Sequence, residues 1–293
     1  MTATILTATA TDPVTGLQGS RQATFTVNNT VAPLIGARGG APGGDSTNAL
    51  ANFTNANNTI GPLNCTKIFY SGILPAQFPG SVESTYPSTV TPVVCYKTVK
   101  TNVQSYVRSV TRPLWLVYHQ EPEGDYATGA QFVSEFVSQA ALIRQVGNPL
   151  VRVVYCAAGY PYRTGGDAQA LAGNYIVPAS SVDVYAKDVY QDKASLYPTQ
   201  GLANYPIFQN WYNFVRPFGK PIAITEYGIG STGTTTDRNN RLQQDVGYLR
   251  TLPNLAMWQY WWANNNPPAP ATNWQFTDAP TISTWRAIIA GSL

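Results

Sequence analysis

Residues 114–126 read LWLVYHQEPEGDY, an apolar run that ends abruptly in charge. The only histidine of the chain, His119, stands in this cluster, and three acidic residues follow it within residues 121–125. Charged residues make up only 11% of the sequence, so such a gathering is conspicuous. The pattern predicts a strand buried on both faces, with polar side chains at its carboxyl end.

Seven further runs have the same strand-like character, and amphipathic helices are predicted between several of them, most clearly over 128–147, 238–252 and 280–291. Eight buried strands alternating with helices predict an α/β fold, a (β/α)8 TIM barrel, whose usual length is about 250 residues. An open doubly wound sheet is the alternative, but the glycine-rich stretch RGGAPGGDS lacks a phosphate-binding motif. The seven runs are APLIGARGG (32–40), CTKIFYSG (65–72), TPVVCYKT (91–98), VRVVYCAAG (151–159), SVDVYAKD (181–188), KPIAITEYG (220–228) and LAMWQYWWA (255–263).

The first thirty residues have a different pattern, in which small or apolar residues alternate with threonine. This alternation is typical of a polar β-hairpin and resembles the last strands of a bacterial immunoglobulin-like repeat. A Thr-rich linker is the alternative. We therefore divide the chain into a short β-like extension, residues 1–30, and a catalytic barrel, residues 31–293. Such an extension fits a larger modular or virion protein.

Composition excludes several classes of protein. The net charge of +3 is small and the basic residues are scattered, so no nucleic-acid partner is expected. No apolar segment is long enough to cross a membrane, and no secretory signal follows Met1. Cys65, Cys95 and Cys156 show no metal-ligand spacing and are expected to be buried free thiols. With a single histidine, neither a metal site nor a cofactor is expected.

Three of the five glutamates fall at predicted strand ends. Glu121 and Glu123 end the fourth run and Glu226 ends the seventh, whereas Glu83 lies in a polar loop and Glu135 in a predicted helix. Such acids are often only salt-bridged or bound by loop amides. On the fourth and seventh strands of one barrel, however, they face each other across the mouth. Cleavage of a glycosidic bond requires one protonated and one ionised carboxyl in such an arrangement.

With these residues the chain resembles glycoside hydrolase clan A, the retaining (β/α)8 enzymes, from Val31 to Leu293. YHQEPEGD is similar to family 26-like enzymes of actinobacteria and phages. The resemblance implies that Glu121 is the acid/base and Glu226 the nucleophile. Most of the clan has Asn before the acid/base, where it binds the sugar 2-hydroxyl. Here Gln120 stands in that place, preceded by His119, and we expect one of them to contact the substrate.

The remaining expectations concern residues that line or support the cleft. Glu123 is expected to support the catalytic pair, with the alternative that it is itself the acid. On the sixth strand we expect Tyr185 or Asp188 to contact the nucleophile or the sugar, with Tyr185 as a substrate-binding and Asp188 as a supporting residue, although Asp183 and Tyr190 stay open as alternatives. The other expected contacts to the sugar are Arg38, Tyr160 with Tyr162 as its neighbour, Trp261 and Trp262.

The sequence thus predicts a retaining hydrolase that acts on a polysaccharide, with endo action on a β-mannan-like or cell-wall glycan and an extracellular, surface or virion-associated location. A non-catalytic carbohydrate-binding barrel of a surface or phage tail assembly is the alternative. A lyase or isomerase is less favoured, because such barrels usually show Lys bases, phosphate loops or metal ligands at strand ends.

Overall fold

The chain forms two compact units, Met1–Ala32 and Pro33–Leu293. In the first unit β1 (Ala3–Thr11) pairs antiparallel with β2 (Gln18–Thr26), as the alternating threonines predict. This architecture comes from a computed structural model that describes residues 3–11, 18–26, 34–39, 49–70, 72–98, 102–158, 162, 174–191, 201–230, 234–262 and 274–291.

The second unit is built on eight parallel strands, which confirms the predicted (β/α)8 barrel. From the second to the eighth, neighbouring strands along the chain pair with each other, and the first barrel strand pairs with the last. The first and second barrel strands stand at the two ends of the hydrogen-bonded sheet and lie side by side, so the sheet is nearly closed. The strands are β3 (Leu34–Gly39), β4 (Cys65–Tyr70), β5 (Thr91–Tyr96), β6 (Leu114–Tyr118), β7 (Val151–Ala157), β8 (Val184–Gln191), β9 (Ile222–Ile229) and β10 (Leu255–Trp262).

Helices follow the strands and cover the outside of the barrel. Their starts are fixed by polar caps: Thr128, Thr234 and Asp278 each accept a backbone N–H of the first helical turn. Gly147, with φ of +69°, ends the longest helix in the left-handed conformation that glycine adopts readily. The helices are α1 (Ala49–Ile60), α2 (Val103–Arg108), α3 (Gly129–Val146), α4 (Pro206–Val215), α5 (Thr235–Leu249) and α6 (Ala279–Ile289).

Two apolar layers stabilise the barrel. The larger lies between strands and helices. The smaller fills the barrel interior and contains Cys65, Cys95 and Cys156, all buried and free as predicted. Because side chains alternate along a strand, each strand contributes to both layers. Within the described residues no helix is long and apolar enough to span a bilayer.

The outer layer is expected to dominate the stability of the second unit. Trp285 of α6 is fully buried, with its ring 5.1 Å from that of Trp258 and 5.2 Å from that of Tyr260. Trp285→Ala should therefore lower the free energy of unfolding by about 3–5 kcal/mol through the cavity it leaves. Equilibrium unfolding in urea measures this. Ile73→Ala, at a side chain that is 61% exposed, is the control and should change stability by less than about 0.5 kcal/mol. Equal effects of the two substitutions would contradict this view of the packing.

Candidate active site

Polar side chains from β4, β8, β9 and the loop after β6 meet at the carboxyl end of the barrel interior. An irregularity in β9 makes this possible: Lys187 pairs with Ile224 but Asp188 pairs with Glu226, so Thr225 is an extra residue. Such a bulge re-aims side chains. Thr225 and Glu226, adjacent in sequence, both contact the same ammonium group inside the barrel.

Glu226 is buried, and three donors bind its carboxylate. The Lys67 ammonium lies 2.8 Å from Oε1 and the Gln120 amide donates to the same oxygen at 2.9 Å, while the Tyr190 hydroxyl donates to Oε2. The ammonium balances the negative charge, and the two neutral donors fix the plane of the carboxylate. Glu226 is thus a buried, oriented anion at the mouth of the barrel.

Lys67 also pairs with a second acid, Asp188, whose two oxygens lie 3.1 and 3.3 Å from Nζ. Burial acts to lower the pKa of Lys67, but the charges of Asp188 and Glu226 together raise it well above its usual value. Burial is also the main reason that the pKa of Asp188 is raised to about 6. Lys67 is therefore a charged group at neutral pH, unlike the neutral amine that a Schiff-base lyase needs.

Lys67 was not among the residues expected from sequence. A signal was present, because the run CTKIFYSG places a lysine between Cys65 and Phe69 on one face of a strand buried on both sides. A buried ammonium needs a partner. That signal predicts an acid inside the barrel, but not which one.

Glu121 follows β6 in a strained loop. Its φ is +51° and that of His119 is +49°, values that residues other than glycine seldom adopt. Backbone hydrogen bonds hold the turn: the His119 N–H donates to the Tyr96 carbonyl at 2.8 Å, and the Glu121 N–H donates to the Cys156 carbonyl at 3.1 Å. Burial, and then the charges of Asp188 and Glu226, raise the pKa of Glu121 to about 8. At neutral pH the Glu121 carboxyl carries a proton that it can donate.

His119 supports this loop. Its Nε2 lies 2.9 Å from Asp125, which also accepts from Lys97. Burial lowers the pKa of His119, so the imidazole is mainly neutral at pH 7. Of the two expected substitutes for the clan's Asn, Gln120 contacts Glu226 directly and His119 is bound to Asp125.

Glu123 binds backbone. Both of its oxygens accept the Ala158 N–H, at 3.1 and 3.3 Å, and Lys187 donates to the Ala158 carbonyl at 3.0 Å. Glu123 therefore ties the loop after β6 to the end of β7. Burial raises the pKa of Glu123 to about 7 and Asp188 also raises it, whereas the charges of both Asp188 and Glu226 raise the pKa of Glu121.

Tyr185 and Trp262, both expected in the cleft, point away from the barrel interior. Tyr185 donates to the Val177 carbonyl at 2.8 Å, and the Trp262 Nε1 donates to the Phe276 carbonyl at 3.1 Å, both within the layer between strands and helices. Alternation along each strand explains this, since it puts the neighbours of these residues inside. Tyr190, left open as an alternative, binds Glu226.

The other expected residues have different positions. Trp261 is at the mouth, with its ring 6.4 Å from Tyr190 and 6.4 Å from Phe69. Asp183 lies away from the mouth, where it accepts from Arg144 and the Val153 N–H. Tyr162 is buried under the Lys187 ammonium. For Arg38 only the backbone is described, paired with Trp261, and Tyr160 lies outside the described residues.

Several solved structures of similar fold are glycoside hydrolases. A GH128 subgroup I endo-β-1,3-glucanase from Amycolatopsis mediterranei, in complex with laminaripentaose, has a TM-score of 0.51 and 16% identity, over 88% of this chain and 100% of its own. GH26C from a Muricauda species has a TM-score of 0.56 and 10% identity, over 89% and 86%. The β-glucuronidase of Bifidobacterium dentium has a TM-score of 0.60 and 13% identity, over 93% of this chain and 51% of its own.

At these identities the likeness shows the fold alone. No protein-family model and no curated protein sequence matches the chain. GH128 and GH26 structures resemble it to a similar degree, so the comparison does not single out family 26. The chain has the TIM-barrel fold of glycoside hydrolases.

Removing the charge of Glu226 should change the acidity of Glu121. We expect Glu226→Gln to lower the pKa of Glu121 from about 8 toward its usual value, because a neighbouring anion is lost. A ¹³C NMR titration of the labelled Glu121 carboxyl measures the pKa. Asp278→Asn is the control, since it also turns a carboxylate into an amide but keeps the helix cap of α6. An unchanged Glu121 pKa in Glu226→Gln would contradict the described proximity of the two carboxyls.

Proposed function

We propose that this chain is a retaining glycoside hydrolase that cleaves a polysaccharide by double displacement. The observation that carries the proposal is the contrast between two neighbouring carboxyls. Glu226 is bound by three donors, one of them cationic, and Glu121 is held protonated up to a pH of about 8. This is the division of roles that a nucleophile and an acid/base require.

In the first step a Glu226 oxygen attacks the anomeric carbon while the bond from that carbon to the leaving oxygen breaks. The Glu121 proton passes to the leaving oxygen, so the aglycone departs as a neutral alcohol. The product is a glycosyl ester of Glu226. Gln120 and Tyr190, as donors to the two Glu226 oxygens, keep the carboxylate oriented toward the sugar.

In the second step the Glu121 carboxylate takes a proton from water while the water oxygen attacks the anomeric carbon. The bond from that carbon to the Glu226 oxygen breaks, which releases the sugar and restores the Glu226 carboxylate and the protonated Glu121. Before this step, esterification has removed the charge of Glu226, which is one of the causes of the high Glu121 pKa. The pKa of Glu121 therefore falls in the glycosyl-enzyme. This favours the ionised carboxylate, which is the form that can act as a base. The cycle uses side chains alone.

Gln120 is our choice for the sugar contact that Asn makes in most of clan A. Its Nε2 donates to Glu226, while its Oε1 is buried and has no hydrogen-bond partner among the residues that the structure describes. A sugar hydroxyl beside the nucleophile would supply the missing donor. Trp261, packed against Phe69 and Tyr190, offers an apolar surface for a sugar ring.

For the substrate we propose a β-linked polysaccharide, either a glucan or a mannan-like glycan, cleaved by endo action. Support for a glucan comes from the similar GH128 structures, which are named endo-β-1,3-glucanases. Support for a mannan-like glycan comes from the resemblance of YHQEPEGD to family 26-like enzymes. A polysaccharide substrate places the enzyme outside the cell, on its surface or on a virion.

Substituting the two carboxyls tests the chemistry. Glu226→Gln should reduce hydrolysis to background, and Glu121→Gln should slow it by about 10²–10⁴-fold, because proton donation to the leaving oxygen is lost. Release of reducing ends from laminarin, β-mannan and cell-wall polysaccharides is the measurement. Asp278→Asn should retain full activity. Full activity in Glu226→Gln would reject the assignment.

Trapping the intermediate tests the covalent step. A 2-fluoro glycoside of the sugar that is hydrolysed should inactivate the enzyme and add its mass to the peptide that contains Glu226, because the fluorine slows hydrolysis of the ester. Mass spectrometry of the digested protein locates the label. A label on another residue would reject the mechanism, and binding of polysaccharide without any hydrolysis would favour the carbohydrate-binding barrel.

A further inference from the structure

Lys67 has two anionic partners where one would balance its charge. Its Nζ lies 2.8 Å from Glu226 and 3.1 Å from the nearer oxygen of Asp188, and the side chains of Lys67 and Asp188 are both fully buried. Asp188 is itself anchored, since the Thr225 hydroxyl donates to it at 2.6 Å. The second acid is therefore a fixed part of the site.

Double displacement changes the charge on one of these partners. When a Glu226 oxygen bonds to the anomeric carbon, the carboxylate becomes a neutral ester. An ammonium paired with Glu226 alone would then stay buried without a counterion in direct contact, which is strongly unfavourable. The same cost would fall on the transition state, in which the bond to Glu226 is already forming.

We propose that Asp188 is a positioning residue that keeps Lys67 paired while Glu226 is esterified. The inference rests on the proposed function and extends it. In the free enzyme Lys67 is shared between two carboxylates, and in the glycosyl-enzyme it pairs with Asp188 alone. Asp188 acts through Lys67 and needs no contact with the sugar.

The charges balance through the step. Before attack, Lys67 is cationic, Asp188 and Glu226 are anionic and Glu121 is protonated. After attack, the proton has left with the alcohol, Glu121 is anionic and Glu226 is an ester. The net charge of these four groups is the same in both states, and a negative charge has moved from Glu226 to Glu121. Lys67 attracts the Glu121 carboxylate as well, so it stabilises that charge.

Among the described groups in hydrogen-bond contact with the Lys67 ammonium, Asp188 is the one that keeps a negative charge once Glu226 is an ester. Burial raises the pKa of the Cys156 thiol and of the Tyr190 hydroxyl well above their usual values, so both are neutral. Thr225 does not ionise. The titratable groups that face Lys67 from the surrounding strands and loop are Cys95 on β5, Glu121 after β6, Cys156 on β7, Asp188 and Tyr190 on β8 and Glu226 on β9.

A double-mutant cycle on the full chain tests the pairing, with reducing-end release from laminarin or the best-hydrolysed polysaccharide of the panel as the assay. Asp188→Asn leaves the ammonium unpaired in the intermediate, and Lys67→Met leaves two buried carboxylates without a cation. Each should lower kcat/KM by about a hundredfold. The double variant Lys67→Met/Asp188→Asn has no unpaired ammonium and one unpaired carboxylate in place of two, so it should be about tenfold faster than either single variant.

The pH profile gives a readout that loss of packing would not produce. The basic limb of kcat/KM, which reports the Glu121 acid, should move to higher pH in Lys67→Met, because Glu121 loses an attracting cation, and to lower pH in Asp188→Asn, because Glu121 loses a neighbouring anion. Asp188→Glu keeps the negative charge and should be faster than Asp188→Asn. If one single variant does not fold, the double variant is compared with the other.

The outcomes separate the two claims. A double variant as slow as the slower single one, or basic limbs that do not move in opposite directions, would overturn the role of Asp188 while the wild-type activity upholds the hydrolase. A wild-type chain that hydrolyses no polysaccharide in the panel would overturn the proposed function itself, and the inference with it.

Discussion

The Lys67 ammonium, held between Asp188 and Glu226, is the interaction on which the site depends. Two carboxylates cannot both stay ionised in an apolar barrel unless a cation lies between them. Lys67 comes from the second barrel strand, whereas the acids come from the sixth and seventh. Only a sheet curved into a barrel brings these strands to one point, so closure of the fold brings the Lys67 ammonium to Glu226, the proposed nucleophile.

Glu121, the proposed acid/base, depends on a different constraint, the shape of the loop after β6. His119 and Glu121 both have positive φ, a conformation that the surrounding structure must hold in place. Asp125 binds the His119 ring, and Glu123 binds the Ala158 backbone. The charge gathered in residues 119–125 therefore has divided tasks: one carboxyl carries the proton, and the other two secure the loop that presents it.

The strand order and the positions of the two principal glutamates could be predicted from sequence, because both are local properties. Eight apolar runs of strand length specify the barrel, and a carboxyl end is recognised wherever such a run meets an acid. Which side chains of a strand point into the barrel was harder to predict. Tyr190 rather than Tyr185 contacts Glu226, and Trp261 rather than Trp262 is at the mouth, since the true start of each strand decides which alternate residues point inward.

By itself the sequence determined the parallel barrel, the burial of the three cysteines and the placement of Glu121 and Glu226 at strands four and seven. The tertiary structure alone decided that Glu226 is paired with Lys67, which is distant in sequence. It also decided that Glu83, expected in a polar loop, is a buried acceptor of two tyrosine hydroxyls. The reason is physical: periodicity reports which face of an element is apolar. The partner of a buried charge depends on barrel closure and on the single extra residue in β9, neither of which leaves a local pattern.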